Sequence, residues 1–330
     1  MRYLRRKLVF YLIAAWVAIT VNFAVPRLMP GSPVDGLLRK MEQAGGGVMT
    51  PQTRHSIELL IGFTGDQPWW QQYFGYLGNI FRGDLGVSVT YFPSTVSEVL
   101  AQSLPWTMVL IGVSTLIAFV LGIGLGVLAG WKRGTWLDSV LPATTFLAAI
   151  PYFWLALILL FLFGLTLRMV PISGGYDYNT HIGLNAPFLG SAVYHAILPA
   201  ATIVISSIAG WLMGMRNMMV STMAEDYVLT AEAKGLRPRR VMLTYAARNA
   251  VIPSITGFAI SLGFVVSGSL VTEVVFSYPG VGFALLQAVQ TNDYPLMQAI
   301  FLVITLAVLG ANLLVDLLHA LIDPRTRHSG

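Results

Sequence analysis

Residues 225–240 read Glu225-Asp-Tyr-Val-Leu-Thr-Ala-Glu-Ala-Lys234-Gly-Leu-Arg-Pro-Arg-Arg240. This stretch is charged and rich in helix-forming residues, and it lies between apolar segments at 196–215 and 253–275. Apolar segments of about 20 residues are long enough to cross the hydrocarbon core of a bilayer. The stretch is therefore predicted to form a structured loop on one side of a membrane.

The composition of the whole chain is that of a membrane protein. Of its 330 residues, 55% are hydrophobic and 11% are charged, whereas a soluble domain carries about 25% charged residues. The chain has no cysteine, which excludes disulfides, thiol catalysis and thiolate metal sites. Its net charge of +5 comes from basic residues that cluster beside apolar segments. Membrane topology explains that distribution better than nucleic-acid binding does.

Six segments are apolar enough to span a membrane, so the predicted fold is an all-α integral membrane protein with six transmembrane helices. The predicted spans are residues 8–27, 104–130, 139–166, 196–215, 253–275 and 298–318. The first follows a basic N-terminus, but no small-x-small cleavage site follows it, which predicts an uncleaved helix. The predicted organisation is an N-terminus with the first helix at 1–27, a large extracytoplasmic segment at 28–103, and a core domain at 104–330 that contains the loop 216–252.

The positions of Lys and Arg predict the orientation. With the N-terminus inside, the cytoplasmic segments are 1–7, 131–138, 216–252 and 319–330. These short segments hold 14 of the 20 basic residues. Because cytoplasmic loops are enriched in Lys and Arg, both termini are predicted to be cytoplasmic.

One part of the segment 28–103 has aromatic and apolar residues at helical spacing. The residues are Trp69, Trp70, Tyr73, Phe74, Leu77, Ile80 and Phe81. The pattern favours an amphipathic helix at the membrane interface, where Trp and Tyr are enriched. A platform for an external partner is a second, compatible interpretation. Upstream, Gly45-Gly-Gly47 is typical of a flexible joint.

Two spans carry features that predict their packing. Ala118, Gly122, Gly126 and Gly130 lie four residues apart in the second span, a pattern that allows two helix backbones to approach closely. Packing within the chain is the favoured explanation, and a dimer seam is the alternative. In the third span, Pro151 is predicted to kink the helix.

The sequence reveals no energy source within the chain. Glu273 and Asp316 lie only at the ends of predicted spans, which disfavours an ion-coupled secondary carrier. There is no phosphate-binding loop, zinc-protease motif or nucleophile elbow. His181 and His195 have no third ligand at metal spacing, and no convergent catalytic cluster is present, which disfavours a metal site and a membrane enzyme. Any work that the protein does must therefore be driven by a partner.

The charged loop has the start and stop signals of two short helices. Glu225 and Asp226 are acidic residues near a helix start, which suits the helix dipole. Gly235 is predicted to end this helix, and Pro238 to begin a second one. A loop that only maintained topology would not need this much local structure, so it is predicted to be a docking surface for another protein.

The loop resembles the EAA loop of ABC importer permeases, in the variant of the oligopeptide/dipeptide/nickel group. It departs from the general EAA pattern in having Leu229 in place of the leading glutamate, and Ala247-Arg248 in place of a Leu-Pro pair. Both departures are similar to those of the peptide group. Further landmarks resemble the group in the same order: Leu28-Met-Pro-Gly-Ser-Pro33, Phe81-Arg-Gly-Asp-Leu-Gly86, Ile150-Pro-Tyr-Phe-Trp154, Leu198-Pro199, Glu273-Val-Val-Phe-Ser-Tyr-Pro-Gly-Val-Gly282, Asn292-Asp-Tyr-Pro295 and Asp323-Pro-Arg325. The long first outside segment is similar to that of the B-type subunit.

The resemblance implies a type I ABC importer (MetI-like) permease that forms half of a pore in a bacterial or archaeal cytoplasmic membrane. It implies a homologous second permease subunit, two ATP-binding cassette subunits that carry ATP and Mg, an extracytoplasmic solute-binding protein and the lipid bilayer as partners. This chain would hold no cofactor and would catalyse no reaction. The coupling contact with the ATPase would comprise Thr230, Ala231, Glu232, Ala233, Lys234, Gly235, Arg237 and Arg239.

The sequence leaves the substrate open. The group that the chain resembles imports oligopeptides, and it also includes importers of nickel and of β-linked oligosaccharides. Oligopeptides are favoured narrowly. Aromatic pairs such as Trp69-Trp70 would suit stacking on sugar rings as well as a membrane interface. Specificity is expected to lie mostly in the solute-binding protein.

Overall fold

The computed structural model describes residues 2–43, 51–61, 67–132, 134–135, 146, 149–263, 265 and 270–322. Three features predicted from the sequence lie outside these residues, wholly or in large part. They are the joint at 45–47, the beginning of the third span, at 139–148, and the ending at 323–325.

The described residues are helical, apart from turns and one isolated β-bridge between Val87 and Thr95. The helices are α1 (Arg2–Arg27), α2 (Pro33–Gln43), α3 (Pro51–Ile61), α4 (Trp69–Arg82), α5 (Val96–Trp131), α6 (Tyr152–Leu159, continued as a π-helix at Leu160–Thr166), α7 (Ala186–Thr222), α8 (Asp226–Ala233), α9 (Pro238–Arg240, continued as a π-helix at Val241–Ala247 and by Arg248–Ala250), α10 (Ile252–Gly263), α11 (Leu270–Val275), α12 (Val281–Gln290) and α13 (Tyr294–Ile322). The all-α prediction is confirmed for this part of the chain.

Four of these helices are long and apolar enough to cross a membrane. The segments are Arg6–Arg27, Val96–Trp131, Ala186–Thr222 and Tyr294–Leu313. They correspond to the first, second, fourth and sixth predicted spans. Shorter apolar helices lie at Tyr152–Thr166 and Ile252–Leu262, within the third and fifth predicted spans. The chain is therefore a multi-pass membrane protein.

The fourth predicted span begins earlier than the hydropathy pattern indicated. α7 starts at Ala186, within the predicted outside loop at 167–195, because Asn185 caps it: the Asn185 side-chain oxygen accepts a hydrogen bond from the Phe188 backbone N–H at 2.9 Å. The helix has 37 residues. At about 1.5 Å per residue it exceeds the bilayer's hydrocarbon core of about 30 Å, so it extends beyond the membrane.

Pro151 precedes a helix instead of kinking one. Ile150 is a bend, and α6 begins at Tyr152 with Pro151 in the N-cap position. The Trp154 backbone N–H donates to the Pro151 carbonyl at 2.9 Å. Proline is tolerated at a helix start because the first N–H groups have no intrahelical partner.

The chain divides into two compact units. The first comprises residues 1–107, 266–270 and 279–330, and the second comprises residues 108–265 and 271–278. In the first unit, the beginning of α5 packs with α12 and α13 around Val96, Leu285 and Ile300. In the same unit, Lys7 of α1 and Asp316 of α13 form an ion pair at 2.7 Å.

The glycine stripe of α5 packs against α7 within the second unit. A Cβ on Gly122 would lie 2.5 Å from the Cβ of Trp211, and one on Gly130 would lie 2.5 Å from the Cβ of Met219. Ala118, on the same stripe, is fully buried. The structure confirms the favoured explanation, that the stripe serves helix packing within the chain.

Candidate coupling site

The charged loop folds into two short helices with the predicted boundaries. α8 begins at Asp226 with Glu225 in the N-cap position, so two carboxylates lie at the positive end of the helix dipole. It ends at Ala233, and Gly235 follows with a positive φ of 71°. The Gly235 backbone N–H donates to the Glu232 carbonyl at 2.8 Å, which satisfies one carbonyl of the last turn. α9 begins at Pro238, as predicted.

α8 packs on the π-helical part of α9 through a small apolar core. Val228 and Ala231 of α8 and Val241 of α9 are all nearly inaccessible to solvent, at 0%, 2% and 1% relative exposure. Trp131, Leu236 and Tyr245 surround them. The loop therefore has a hydrophobic core of its own and holds α8 in one orientation.

A polar contact adds to this core. The Asn249 side-chain N–H groups donate to the Tyr227 hydroxyl at 3.0 Å and to the Tyr245 carbonyl at 3.3 Å. These bonds connect the first turn of α8 to the last part of α9. α8 and α9 are therefore joined by polar as well as apolar contacts.

α9 is in turn packed on the long helices of the second unit. Ala246, Ala247 and Ala250 lie in one buried cluster with Met215 and Met219 of α7. Val127 of α5 belongs to the same cluster. Small alanine side chains allow α9 to approach α7 closely, so α8, α9 and α7 form a continuous chain of packed elements.

The predicted coupling residues divide into an exposed group and one buried residue. The exposed residues are Thr230, Glu232, Ala233, Lys234, Gly235, Arg237 and Arg239. Ala231 is buried against Val241 within the loop. Its small size serves the internal packing of α8 in this chain. Ala233 is exposed on the surface of α8.

Comparison with known proteins identifies the family of this chain. A family model described as "Binding-protein-dependent transport system inner membrane component" matches residues 122–328, more than half of the chain. The chain belongs to this family. The matched range includes the whole of the loop just described.

The permease also resembles curated proteins along almost its whole length. It is 37% identical over 333 residues, covering 96% of both chains, to the di/tripeptide transport system permease protein DppB of Pseudomonas aeruginosa. It is 33% identical over 335 residues, again covering 96% of both, to the dipeptide transport system permease protein DppB of Escherichia coli. It is 31% identical over 327 residues, covering 98% of both, to the oligopeptide transport system permease protein AppB of Bacillus subtilis. These matches confirm the predicted membership of the oligopeptide/dipeptide group.

Two buried acidic residues of the permease have environments that the sequence did not reveal. Asp293 is fully buried and accepts hydrogen bonds from the Ser88 hydroxyl, the Thr90 backbone N–H and the Leu296 backbone N–H. Glu273, in the second unit, is also fully buried. Burial raises the pKa of Tyr278, and the Glu273 carboxylate raises it further. Both acids lie in sequence landmarks, but a landmark does not show which side chain is buried.

Proposed function

We propose that this permease forms half of the pore of an ATP-driven peptide importer, with six transmembrane helices and both termini in the cytoplasm of a bacterium or archaeon. The proposed peptide substrate is supported by the names of the relatives, which refer to di/tripeptides, dipeptides and oligopeptides. The orientation rests on the clustering of Lys and Arg in the segments assigned to the inside.

The packed loop at 216–252 is the observation that carries the proposal. α8 presents Thr230, Ala233 and Lys234 on its exposed side, while its other side is packed on α9 and, through α9, on α7. An ATP-binding cassette subunit that contacts the exposed side of α8 would move the long helices as a block. ATP and Mg belong to that subunit, and an extracytoplasmic binding protein delivers the peptide.

The exposed arginines extend this proposed contact. Arg237, Arg239 and Arg240 are exposed beside the C-terminal end of α8. They form a basic surface that suits acidic side chains of the ATPase. Because such rim charges act mainly on association rate, we expect them to speed assembly more than they strengthen it.

The test is substrate-stimulated ATP hydrolysis by the complex, reconstituted with its two ATPase subunits and its binding protein. We expect Gly235→Asp to abolish peptide stimulation, because the left-handed conformation at φ 71° is strained for a side chain and the carboxylate enters the contact. Gly174→Asp is the matched control, since Gly174 also has a positive φ, of 86°, but lies outside the loop. It should retain stimulation.

Two results would contradict the proposal. One is normal peptide-stimulated hydrolysis and transport in Gly235→Asp. The other is failure of the chain to purify with ATP-binding cassette subunits. The substrate is tested separately, by measuring binding of peptides, β-linked oligosaccharides and nickel to the isolated binding protein.

A further inference from the structure

A cavity of about 190 Å³ lies in the first unit, bounded by the C-terminal end of α1, by α4 and by the first turns of α13. Its wall contains one cation and one carboxylate, Arg27 and Asp84, together with several side-chain amides. Apolar side chains, among them Ile80, Ala299 and Leu302, also line it. A cavity that contains opposite charges, hydrogen-bonding groups and apolar side chains suits an amphiphilic ligand.

Arg27 is held in place without an acidic partner. Its guanidinium lies 3.6 Å from the centre of the Phe23 ring, and it donates to the Phe23 carbonyl at 2.8 Å and to the Gln72 side-chain oxygen at 3.3 Å. None of the described residues forms a salt bridge with it. These hydrogen bonds use three of the five guanidinium N–H groups. The others are suited to a planar, two-pronged contact with a phosphate.

Asp84 supplies the opposite charge on the same wall. Its Oδ1 accepts a hydrogen bond from the Gly86 backbone N–H at 3.0 Å, which orients the carboxylate. No described residue pairs with it as a cation, Arg27 included. Two separate and uncompensated charges of opposite sign are complementary to a zwitterion.

Tyr76 adds an unused hydrogen-bonding group to this wall. Its hydroxyl is buried and has no hydrogen-bond partner among the described residues. Burial raises the pKa of Tyr76 to about 12, so the hydroxyl remains protonated. The wall thus retains donor capacity at two neighbouring positions, on Arg27 and on Tyr76.

The size and surroundings of the cavity favour a lipid headgroup over transported cargo. Pockets for drug-sized ligands are typically about 300–1,000 Å³, so a cavity of about 190 Å³ suits a headgroup better than an oligopeptide. The elements that bound the cavity expose large apolar side chains: Val25 on α1, Leu28 directly after α1, and Trp69 and Phe81 near the two ends of α4. Tryptophan is enriched at membrane interfaces, so acyl chains have a surface beside the cavity.

We propose that this cavity binds the zwitterionic headgroup of a phospholipid, with its phosphate at Arg27 and its ammonium group at Asp84, while the acyl chains lie on the exposed apolar side chains of α1 and α4. The preferred ligand is a phosphatidylethanolamine. A soluble phosphoester shares the headgroup chemistry but lacks the acyl chains.

The proposal is tested by native mass spectrometry of the delipidated, full-length permease in its complex. Three ligands are titrated: phosphatidylethanolamine, phosphatidylglycerol and soluble glycerophosphoethanolamine. We expect the wild type to prefer phosphatidylethanolamine over both others. Arg27→Gln should weaken the binding of both lipids roughly tenfold or more, because a hydrogen bond to a charged group is lost. Asp84→Asn should remove the preference for phosphatidylethanolamine over phosphatidylglycerol.

Arg82→Gln is the matched control for charge. Arg82 ends α4 and is exposed, but it does not line the cavity, so its loss should leave both lipid affinities unchanged. Equal weakening by Arg82→Gln and Arg27→Gln would overturn the assignment of the phosphate to Arg27. If Asp84→Asn still prefers phosphatidylethanolamine over phosphatidylglycerol, the assignment of the ammonium group to Asp84 is overturned. Asp84 is exposed, so this variant remains informative even if Arg27→Gln does not fold. Glycerophosphoethanolamine binding as tightly as the lipid would overturn the lipid assignment.

Discussion

Asp293 stabilises the start of α13 and a neighbouring turn at the same time. Its Oδ1 accepts a hydrogen bond from the Leu296 backbone N–H at 3.1 Å, as the side chain of an N-cap residue does. Its Oδ2 accepts hydrogen bonds from the Thr90 backbone N–H, at 2.8 Å, and from the Ser88 hydroxyl. One carboxylate therefore connects positions that are about 200 residues apart in sequence.

We expect Asp293→Ala to destabilise the first unit by at least about 3 kcal/mol, because three buried donors lose their acceptor at about 1–3 kcal/mol each. Reversible unfolding in mixed micelles, followed by tryptophan fluorescence, would measure the change. Asp226→Ala removes an exposed carboxylate near a helix start, and should cost no more than about 1 kcal/mol. Similar losses in the two variants would contradict the role given to Asp293.

At the scale of elements, the close contact of α5 and α7 depends on one face of α5. A Cβ on Gly126 would lie 2.7 Å from the Leu212 carbonyl oxygen and 2.7 Å from the Cβ of Met215. Gly124, two residues earlier, has no atom within 4 Å of the corresponding position. The two glycines lie in the same helix and differ in what they face.

We expect Gly126→Ala to destabilise the protein by about 1–3 kcal/mol, because the added methyl group meets backbone that cannot move without separating the helices. Gly124→Ala introduces the same methyl group into open space and should change stability by about 0.5 kcal/mol or less. Thermal unfolding of the purified permease in one detergent compares the pair. Equal stability of the two variants would show that α5 and α7 do not approach as described.

The elements of the coupling loop show where sequence reasoning succeeded and where it stopped. Glu225, Gly235 and Pro238 predicted the helix boundaries, since capping and left-handed conformations depend on a few adjacent residues. The burial of Ala231 was not predicted, because it depends on Val241, which is brought beside α8 only by the turn between the helices. The π-helical form of Val241–Ala247 has no local sequence signal that we identified.

At the scale of the whole molecule, the proposed topology assigns each loop to one side of the membrane. The loop with α8 is assigned to the cytoplasm and the loop at 167–185 to the outside. Tyr178 is 95% exposed in the loop at 167–185, and Ala233 is exposed in the loop with α8. The chain has no cysteine, so single cysteines can be introduced without removing native ones.

We expect a membrane-impermeant maleimide to label Tyr178→Cys in intact cells or right-side-out vesicles, and to label Ala233→Cys only in inverted vesicles. Co-expression of the ATPase subunits should protect Ala233→Cys from labelling, because α8 would then be covered. Labelling of both positions from the same side would contradict the six-span arrangement. Accessibility of Ala233→Cys unchanged by the ATPase subunits would contradict the docking site.

The sequence by itself determined the class of the protein, its main spans, the boundaries of α8 and its family. These properties depend on hydropathy over about 20 residues, on capping residues and on motifs, all of which are local in the chain. Only the tertiary structure decided that the glycine stripe of α5 contacts α7, that Ala231 is internal to the loop, and that Asp293 and the cavity at Arg27 join distant segments. Those properties depend on which side chains meet across the fold, and burial and hydrogen bonding between distant residues have no signature in a single sequence.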